Sequence, residues 1–440
     1  MKYIVCLLTL LNGIIYNCTA QTNAKSDTTL TNATLSNCVQ FALQHQPAIQ
    51  QSLIDQQITE HQIKSQLSAW YPQINFGANY QNYFQLPATT FEGSVVPQGA
   101  FNNSNIGFSG TQNLFNRDAF LASRTARDIR TQAKQNIISN KIDVTVNVAK
   151  AFYDVLLTQK QIELTADDIV RLDRSLKDAY NQYKFGLVDK VDYKRATIAL
   201  NNAKAEKKQY EESLKEKYAF LRQQMGYSLT DSLNLKYDST AMQNDVLIDT
   251  NQVVNYQNRI EYQQLETQRK LLAISVKYYK WGYIPSLSAF AAYNWGYINN
   301  EFAPLYNNDY PNSYAGITLT LPIFQGGKRV NDIKVAQLQL QRTDYDLANL
   351  HNEVNTEFTA AMAIYKSNLT DYYLLKDNLD LSTDVYNTIQ LQYKAGVKTY
   401  LDVITAESDL RSSEVNYTNA LYNVLSSKFD VEKALGSIQY

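Results

Sequence analysis

The pentapeptide QYKFG at Gln182–Gly186 returns as QYKAG at Gln392–Gly396, 210 residues further along a chain of 440 residues. The same offset relates Asp192 to Asp402, with no insertion between the matched positions. Self-similarity held over such a distance indicates an internally duplicated architecture. The predicted units are a first repeat over 21–228, an equatorial linker over 229–252 and a second repeat over 253–440.

Each repeat contains a segment in which apolar and polar residues alternate. Ile74 and Phe76 flank Asn75, for example, and Ile317 and Leu319 flank Thr318. Alternation of this kind predicts β-strands with one apolar face, although a soluble sandwich would show the same pattern. Four strands of about ten residues, the length that crosses a bilayer at a tilt, are predicted in β-hairpins at 72–115 and 284–324. The residues predicted to face lipid are Ile74, Phe76, Tyr80, Ala291, Tyr293, Ile317 and Leu319.

Long segments without helix breakers surround the hairpins. No proline occurs from Gln98 through Tyr283 or after Pro322. A heptad spacing, typical of a coiled-coil seam, relates Ile333, Leu340, Leu347, Val354 and Ala361. A helix from about Gln325 to Tyr393 would be roughly 100 Å long, which exceeds the size of a globular domain.

The amino terminus, Met1–Ala20, has Lys2, a short apolar stretch and small residues before Gln21. This pattern predicts a cleavable signal peptide. The stretch is shorter than the roughly 20 residues that a transmembrane anchor needs, and lipidation at Cys18 is a further alternative. Cleavage after Ala20 would leave Cys38 as the single cysteine, so the mature chain could form no internal disulfide.

Composition excludes several classes of function. The 41 Lys and Arg residues are balanced by 42 Asp and Glu residues, so no basic surplus favours binding of nucleic acid. Three histidines without a shared spacing favour neither a metal site nor any cofactor. A mean hydropathy of −0.38 excludes a bundle of transmembrane helices.

Four strands cannot close a barrel, and an open edge in hydrocarbon leaves backbone groups unpaired at several kcal/mol each. Several chains must therefore share one barrel. The predicted fold is an α+β membrane protein, in which three chains with four strands each form a trimeric twelve-stranded β-barrel. Long helices continue it as a coiled-coil α-barrel.

Several motifs resemble those of the TolC-type outer-membrane efflux proteins. They are the segment Leu35–Leu43 followed by Pro47, the phrase LTLPIFQGGK at Leu319–Lys328, and the phrases YKAG at Tyr393–Gly396 and YLDV at Tyr400–Val403. The resemblance spans Leu35–Gly436. It implies a homotrimeric channel, not an enzyme, in the outer membrane of a Gram-negative bacterium, extending into the periplasm. It also implies a periplasmic adaptor (membrane fusion protein) and an inner-membrane RND or ABC pump as partners, in efflux or type I secretion.

Glycines end the predicted long helices. Gly186 and Gly396 suit the left-handed conformation of a helix C-terminus, and the resemblance implies that these turns form the periplasmic tip that contacts the adaptor.

Four residues near the tip form a predicted gate. The resemblance implies that Asp192 and Asp402 narrow the periplasmic mouth, and that Lys398 and Tyr393 belong to a latch with Asp192. A simpler interpretation is that the two acids cap the returning helices, since Thr399 precedes Asp402 by three residues. Acidic pairs elsewhere, Asp167–Asp168 and Glu211–Glu212, are predicted to lie on exposed helix faces.

A different class of function remains open from the sequence. Heptads would also suit an adhesive coiled-coil surface protein, but that class does not explain duplicated amphipathic hairpins. No nucleophile, metal or phosphate-loop motif supports an enzyme.

Overall fold

A computed structural model describes residues 30, 33–91, 93–186, 189–228, 231–235, 242–243 and 245–440. The predicted signal peptide, with the alternative of lipidation at Cys18, lies outside the described residues. So do nine positions of the predicted linker, namely 229, 230, 236–241 and 244.

Two helices of unusual length dominate the chain, with 68 and 67 residues, and each is followed by a helix of 36 residues. At 1.5 Å per residue the long helices extend for about 100 Å, so this prediction is confirmed. The helices are α1 (Leu35–His45), α2 (Pro47–Leu67), α3 (Arg117–Lys184), α4 (Lys190–Met225), α5 (Ile260–Trp281), α6 (Lys328–Lys394) and α7 (Tyr400–Leu435).

The four predicted strands form one antiparallel sheet in the order β1-β4-β5-β6. A small hairpin of β2 and β3, which the sequence analysis did not predict, lies in the connection between β1 and β4. The strands are β1 (Gln73–Asn82), β2 (Ala88–Phe91), β3 (Ser94–Pro97), β4 (Asn102–Phe115), β5 (Ser286–Asn299) and β6 (Tyr310–Thr320). The alternation at its carboxyl end predicted a longer β6, but the strand stops two residues before Pro322, which has no N–H to donate.

Register places the predicted apolar residues on one face of the sheet. Ile74 pairs with Gly110, which pairs with Ala291, and the next row contains Phe76 and Tyr293. In β6, Ile317 pairs with Ala289 and Leu319 with Leu287. These two partners occupy every second position of β5 together with Ala291 and Tyr293, so all four lie on the same face of the strand. All seven residues predicted to face lipid therefore share one face.

The helices pack as two antiparallel hairpins, α3 with α4 and α6 with α7. Their main core contains Val155, Leu221, Tyr365 and Leu425, each exposed by 1% or less. The heptad positions of α6 are all buried or half-buried, as the spacing predicted. Among the described residues, no helix is both long and apolar enough to span a membrane.

The described part of the predicted linker packs onto this core. Leu233 and Val246 are buried among its side chains. The Tyr365 hydroxyl donates to the carbonyl of Val246 at 2.8 Å and accepts from the Ile248 N–H at 3.1 Å. The described part of this segment is thus held by buried side chains, by the two hydrogen bonds of Tyr365 and by a β-bridge between Leu235 and Ala33.

Two glycines end the shorter helices in the same way. Gly226 after α4 and Gly436 after α7 have φ angles of 66° and 71°. A Cβ at Gly226 would lie 2.8 Å from the carbonyl oxygen of His45, and one at Gly436 would lie 3.0 Å from that of Asn258. Each glycine therefore allows a helix end to approach the turn that precedes another helix.

Candidate functional site

Left-handed glycines end both long helices, as the sequence predicted. Gly186 and Gly396 have φ angles of 70° and 76°. After α6, the N–H of Val397 donates to the carbonyl of Gln392 and the N–H of Gly396 to that of Tyr393, both at 2.9 Å. These two bonds satisfy carbonyls that the helix end would otherwise leave unpaired.

Both turns expose large apolar side chains. Phe185 is 77% exposed and Val397 is 72% exposed. No atom lies within 4 Å of a Cβ built at Gly186 or at Gly396, so the turns are open on this side. Exposed apolar groups at the end of a helical hairpin are available for contact with another molecule.

Asp402 takes part in a reciprocal cap at the start of α7. Its carboxylate accepts from the Thr399 N–H at 2.9 Å, and the Asp402 N–H donates to the Thr399 hydroxyl at 3.3 Å. These hydrogen bonds lower the pKa of Asp402. The capping interpretation is therefore confirmed for Asp402.

Asp192 lies in the first turn of α4, but the capping side chain there is Asp189, which accepts from the Val191 N–H at 3.4 Å. Lys398 lies nearest to Asp402, with 3.9 Å between Nζ and Oδ1. Within the described part of this single chain, Lys398 forms no ion pair with Asp192.

Tyr393 lies where the two helical hairpins meet near the tip. Its ring is 6.2 Å from that of Tyr400, and both pack in a cluster with Ala179 and Ala196 of the first hairpin. Burial raises the pKa of Tyr393, and the charges of Asp178 and then Asp192 add to that rise, whereas Gln182 opposes it. Tyr193, the residue after Asp192, packs in the same cluster, so Tyr393 lies beside the first turn of α4.

A buried cluster of charges above the tip was missed by the sequence analysis. Asp168 is only 1% exposed, so its predicted place on an exposed face is wrong, whereas Asp167 is exposed. The Arg411 Nε of α7 lies 3.3 Å from Asp168 and the Arg171 Nη2 lies 3.5 Å from it. Neighbouring arginines, one from a helix more than 200 residues away, make its burial possible.

Glu407 of α7 completes this cluster and is 2% exposed. Its carboxylate lies 3.9 Å from Arg171 Nε and accepts from the Ser175 hydroxyl at 3.4 Å. Burial, and then the negative charge of Asp168, raise the pKa of Glu407 to about 7, although Arg171 opposes the shift.

The cluster contains more acids than bases. Arg171 also binds Glu414, at 3.0 Å, and Arg411 pairs with Glu206 of α4. The residues involved are the acids Asp168, Glu206, Glu407 and Glu414 and the bases Arg171 and Arg411. Three helices are joined by these contacts. Among the described residues, no group of three or more His, Cys, Asp or Glu side chains is arranged to hold a metal ion.

Comparison with known proteins assigns the chain to a family. The family model described as "Outer membrane efflux protein" matches residues 38–227 and 256–437. Outer membrane protein TolC of Vibrio cholerae is 23% identical over 382 residues, covering 86% of this chain and 84% of that protein. Alkaline protease secretion protein AprF of Pseudomonas aeruginosa is 19% identical, over 88% of this chain and 81% of that protein.

Solved structures agree with the assignment at the level of fold. The Campylobacter jejuni CmeC outer membrane channel superposes with a TM-score of 0.74 at 15% identity, covering 95% of this chain and 90% of that one. The family model alone spans well over half of the sequence. The chain therefore belongs to the outer membrane efflux protein family and is an outer-membrane channel, the exit duct of an efflux or secretion system.

Proposed function

We propose that three copies of this chain form one twelve-stranded barrel and one helical duct, through which cargo passes from a periplasm-spanning pump to the exterior. The observation that supports it best is the sheet with two free edges, β1 and β6, and one apolar face. Such edges are not stable in hydrocarbon unless another chain pairs with them.

The outer surface of α6 supports the same assembly. A second set of apolar side chains on α6, away from the buried seam, is more than half exposed in the single chain. Examples with seven-residue spacing are Leu338 with Tyr345 and Leu374 with Leu381. A row of this kind on a long helix is typical of a helix–helix interface.

Oligomeric state tests this proposal directly. The full chain, purified in detergent, is expected to sediment as a trimer and to migrate as a trimer on gels until it is heated. A monomer or dimer by analytical ultracentrifugation in several detergents would contradict the shared barrel.

The tip of the duct is proposed to act as a gate. Tyr393 packs beside the first turn of α4, which contains Asp192, and Lys398 Nζ lies 3.9 Å from Asp402 Oδ1 of its own chain. Around a threefold axis, three copies of each acid would form a ring that attracts cations. An exposed ion pair stabilises the closed tip by only about 0 to 1 kcal/mol. A partner that binds the tip therefore needs little binding free energy to open the gate.

Single-channel conductance tests the gate. Lys398→Glu and Asp192→Asn are expected to raise the conductance of the purified protein in planar bilayers, and Asp402→Asn is expected also to lower cation preference. Lys394→Glu is a matched control, because it changes the same charge one turn earlier. The Lys394→Glu control is expected to leave conductance and selectivity unchanged. If the three gate variants also leave both unchanged, these residues are helix caps and surface charges only.

The tip turns are proposed to bind the periplasmic adaptor of an RND or ABC pump. Phe185 and Val397 are the exposed apolar groups available for that contact. Photo-crosslinkers placed at these two positions in cells are expected to capture one periplasmic lipoprotein-like or membrane-anchored partner. Capture of no partner, while a crosslinker at Leu381 captures a second copy of the chain, would oppose the adaptor contact without affecting the trimer.

A further inference from the structure

Charge is distributed very unevenly about the sheet. None of the six strands contains Asp, Glu, Lys or Arg. The described residues of the two connections at the far end of the sheet, 83–101 and 300–309, contain two acids, Glu301 and Asp309, and no base. At the end where the sheet meets the helices, two acids, Asp118 and Asp332, pair with Arg117 and Lys328. The bases close to the strand ends outnumber them and are Arg117, Arg124, Lys277, Lys280, Lys328 and Arg329.

Several of these bases lie against aromatic rings. Arg329 Cζ is 4.3 Å from the ring centre of Tyr283, and its Nη2 donates to the Pro322 carbonyl at 2.7 Å. Arg124 Cζ is 5.0 Å from the ring centre of Phe120. Rings that hold guanidinium groups at the edge of an apolar slab are typical of a membrane–water interface.

Between α3 and α5 this edge contains a groove of about 490 Å³, lined by Phe120, Arg124, Ile274, Lys277 and Trp281. Its apolar floor is formed by the rings of Phe120 and Trp281, whose centres are 4.7 Å apart. Arg124 and Lys277 are its two charged groups, both exposed, and no acid lines it. Two cations beside an apolar floor complement an amphiphile with an anionic head.

The groove lies beside the two central strands and not at the edges of the sheet. Helix α3 follows β4 and α5 precedes β5, and these are the two central strands of the sheet. Neighbouring subunits would join at β1 and β6 instead. The gate lies at the opposite ends of the long helices, so neither proposal already accounts for the groove.

We propose that this groove binds an anionic phospholipid of the membrane leaflet that faces the helices. Arg124 and Lys277 bind the phosphate oxygens, since guanidinium and ammonium groups are the usual phosphate ligands. The upper part of an acyl chain packs on Trp281 and Phe120. The bound lipid fixes the depth of the channel, because it ties the last turn of α5 to the level of the headgroups. This inference rests on the outer-membrane location and not on the gate.

Tryptophan fluorescence tests the site. The Trp70→Phe, Trp295→Phe variant retains Trp281 as its single tryptophan. In detergent, brominated phosphatidylglycerol is expected to quench Trp281 at about tenfold lower concentration than brominated phosphatidylcholine, because each base near the surface strengthens anionic-lipid binding several-fold. Adding Arg124→Glu and Lys277→Glu is expected to abolish this difference.

Two further variants make the outcome unambiguous. Arg124→Lys with Lys277→Arg keeps both charges and is expected to retain the preference. Lys270→Glu changes a charge two turns deeper on α5 and is expected to leave it unchanged. Equal quenching by the two lipids, or a preference that survives the double glutamate variant with its trimer intact, would overturn the proposal. Displacement of the lipid by millimolar inorganic phosphate would show a free-anion site instead.

Discussion

At the scale of the single residue, Glu407 makes stability depend on pH. Burial and Asp168 raise the pKa of its carboxyl from the ordinary value of 4.5 to about 7. Between these two values the folded chain keeps a proton that the unfolded chain has lost, so unfolding is favoured as pH rises. The contribution is complete below about pH 4.5 and is lost by about pH 7. We expect a loss of up to roughly 3 kcal/mol across this window.

Glu407→Gln is the variant that isolates this effect, because the amide cannot ionise. Thermal melts followed by circular dichroism between pH 5 and pH 8 should show that the wild type loses melting temperature relative to the variant as pH increases. Glu216→Gln, on an exposed face of α4, is the matched control and should follow the wild type. A constant difference between wild type and Glu407→Gln would show that Glu407 is ionised throughout.

At the scale of the element, two glycines with the same backbone conformation should respond differently to alanine. Gly186 and Gly226 both have positive φ, but the space beside Gly186 is open, whereas a Cβ at Gly226 would lie 2.8 Å from the His45 carbonyl oxygen. Gly186→Ala should cost about 1 kcal/mol for the left-handed conformation alone. Gly226→Ala should cost about 1 to 3 kcal/mol more, because backbone must move.

Chemical denaturation of both variants, monitored by helical signal, measures these costs. The space beside Gly396 is open, as it is beside Gly186, so Gly396→Ala should cost the same stability as Gly186→Ala. Equal destabilisation at Gly186 and Gly226 would mean that the turn beside α4 is not held in the close packing described here.

The strands allow a second prediction at this scale. Ile317 and Thr318 are neighbours in β6 on opposite faces. Arginine at Ile317 should destabilise the assembled barrel by about 2 to 4 kcal/mol if that face meets lipid, and arginine at Thr318 should cost much less. The fraction of heat-resistant trimer recovered from membranes measures both. Equal losses would show that the inside and outside of the sheet have been assigned wrongly.

At the scale of the whole molecule, the long connections of the sheet should be extracellular. Outer-membrane barrels place long loops outside, and both ends of each hairpin continue into helices on the other side. A short epitope inserted at Gly99, between β3 and β4, should therefore bind antibody on intact cells. The same epitope in the tip turn at Gly186 serves as the control and should be reached only after the envelope is permeabilised. The reverse labelling pattern would show that the long connections are periplasmic and the tip turns extracellular.

Much of this architecture follows from local patterns, and the parts that do not follow depend on distant partners. The strands and α6 were predictable because periods of two and seven are visible within one segment. The burial of Asp168 was not predictable from a local pattern, because its partner Arg411 lies 243 residues further along the sequence. The pairing of Lys398 with Asp402 rather than Asp192 is likewise a matter of side-chain geometry.

The order of strands in the sheet has a consequence for how the chain folds. β4 pairs with β5, and the pair Asn102–Asn299 closes a loop of 197 residues, whereas each helical hairpin joins neighbours in sequence. Contacts of low sequence separation form fastest, since little loop entropy is lost. The helical hairpins are therefore expected to form first. Strands β1 and β4 therefore expose an apolar face and an unpaired edge until the second half of the chain has been exported. During that interval the chain is most prone to aggregate and most in need of a chaperone.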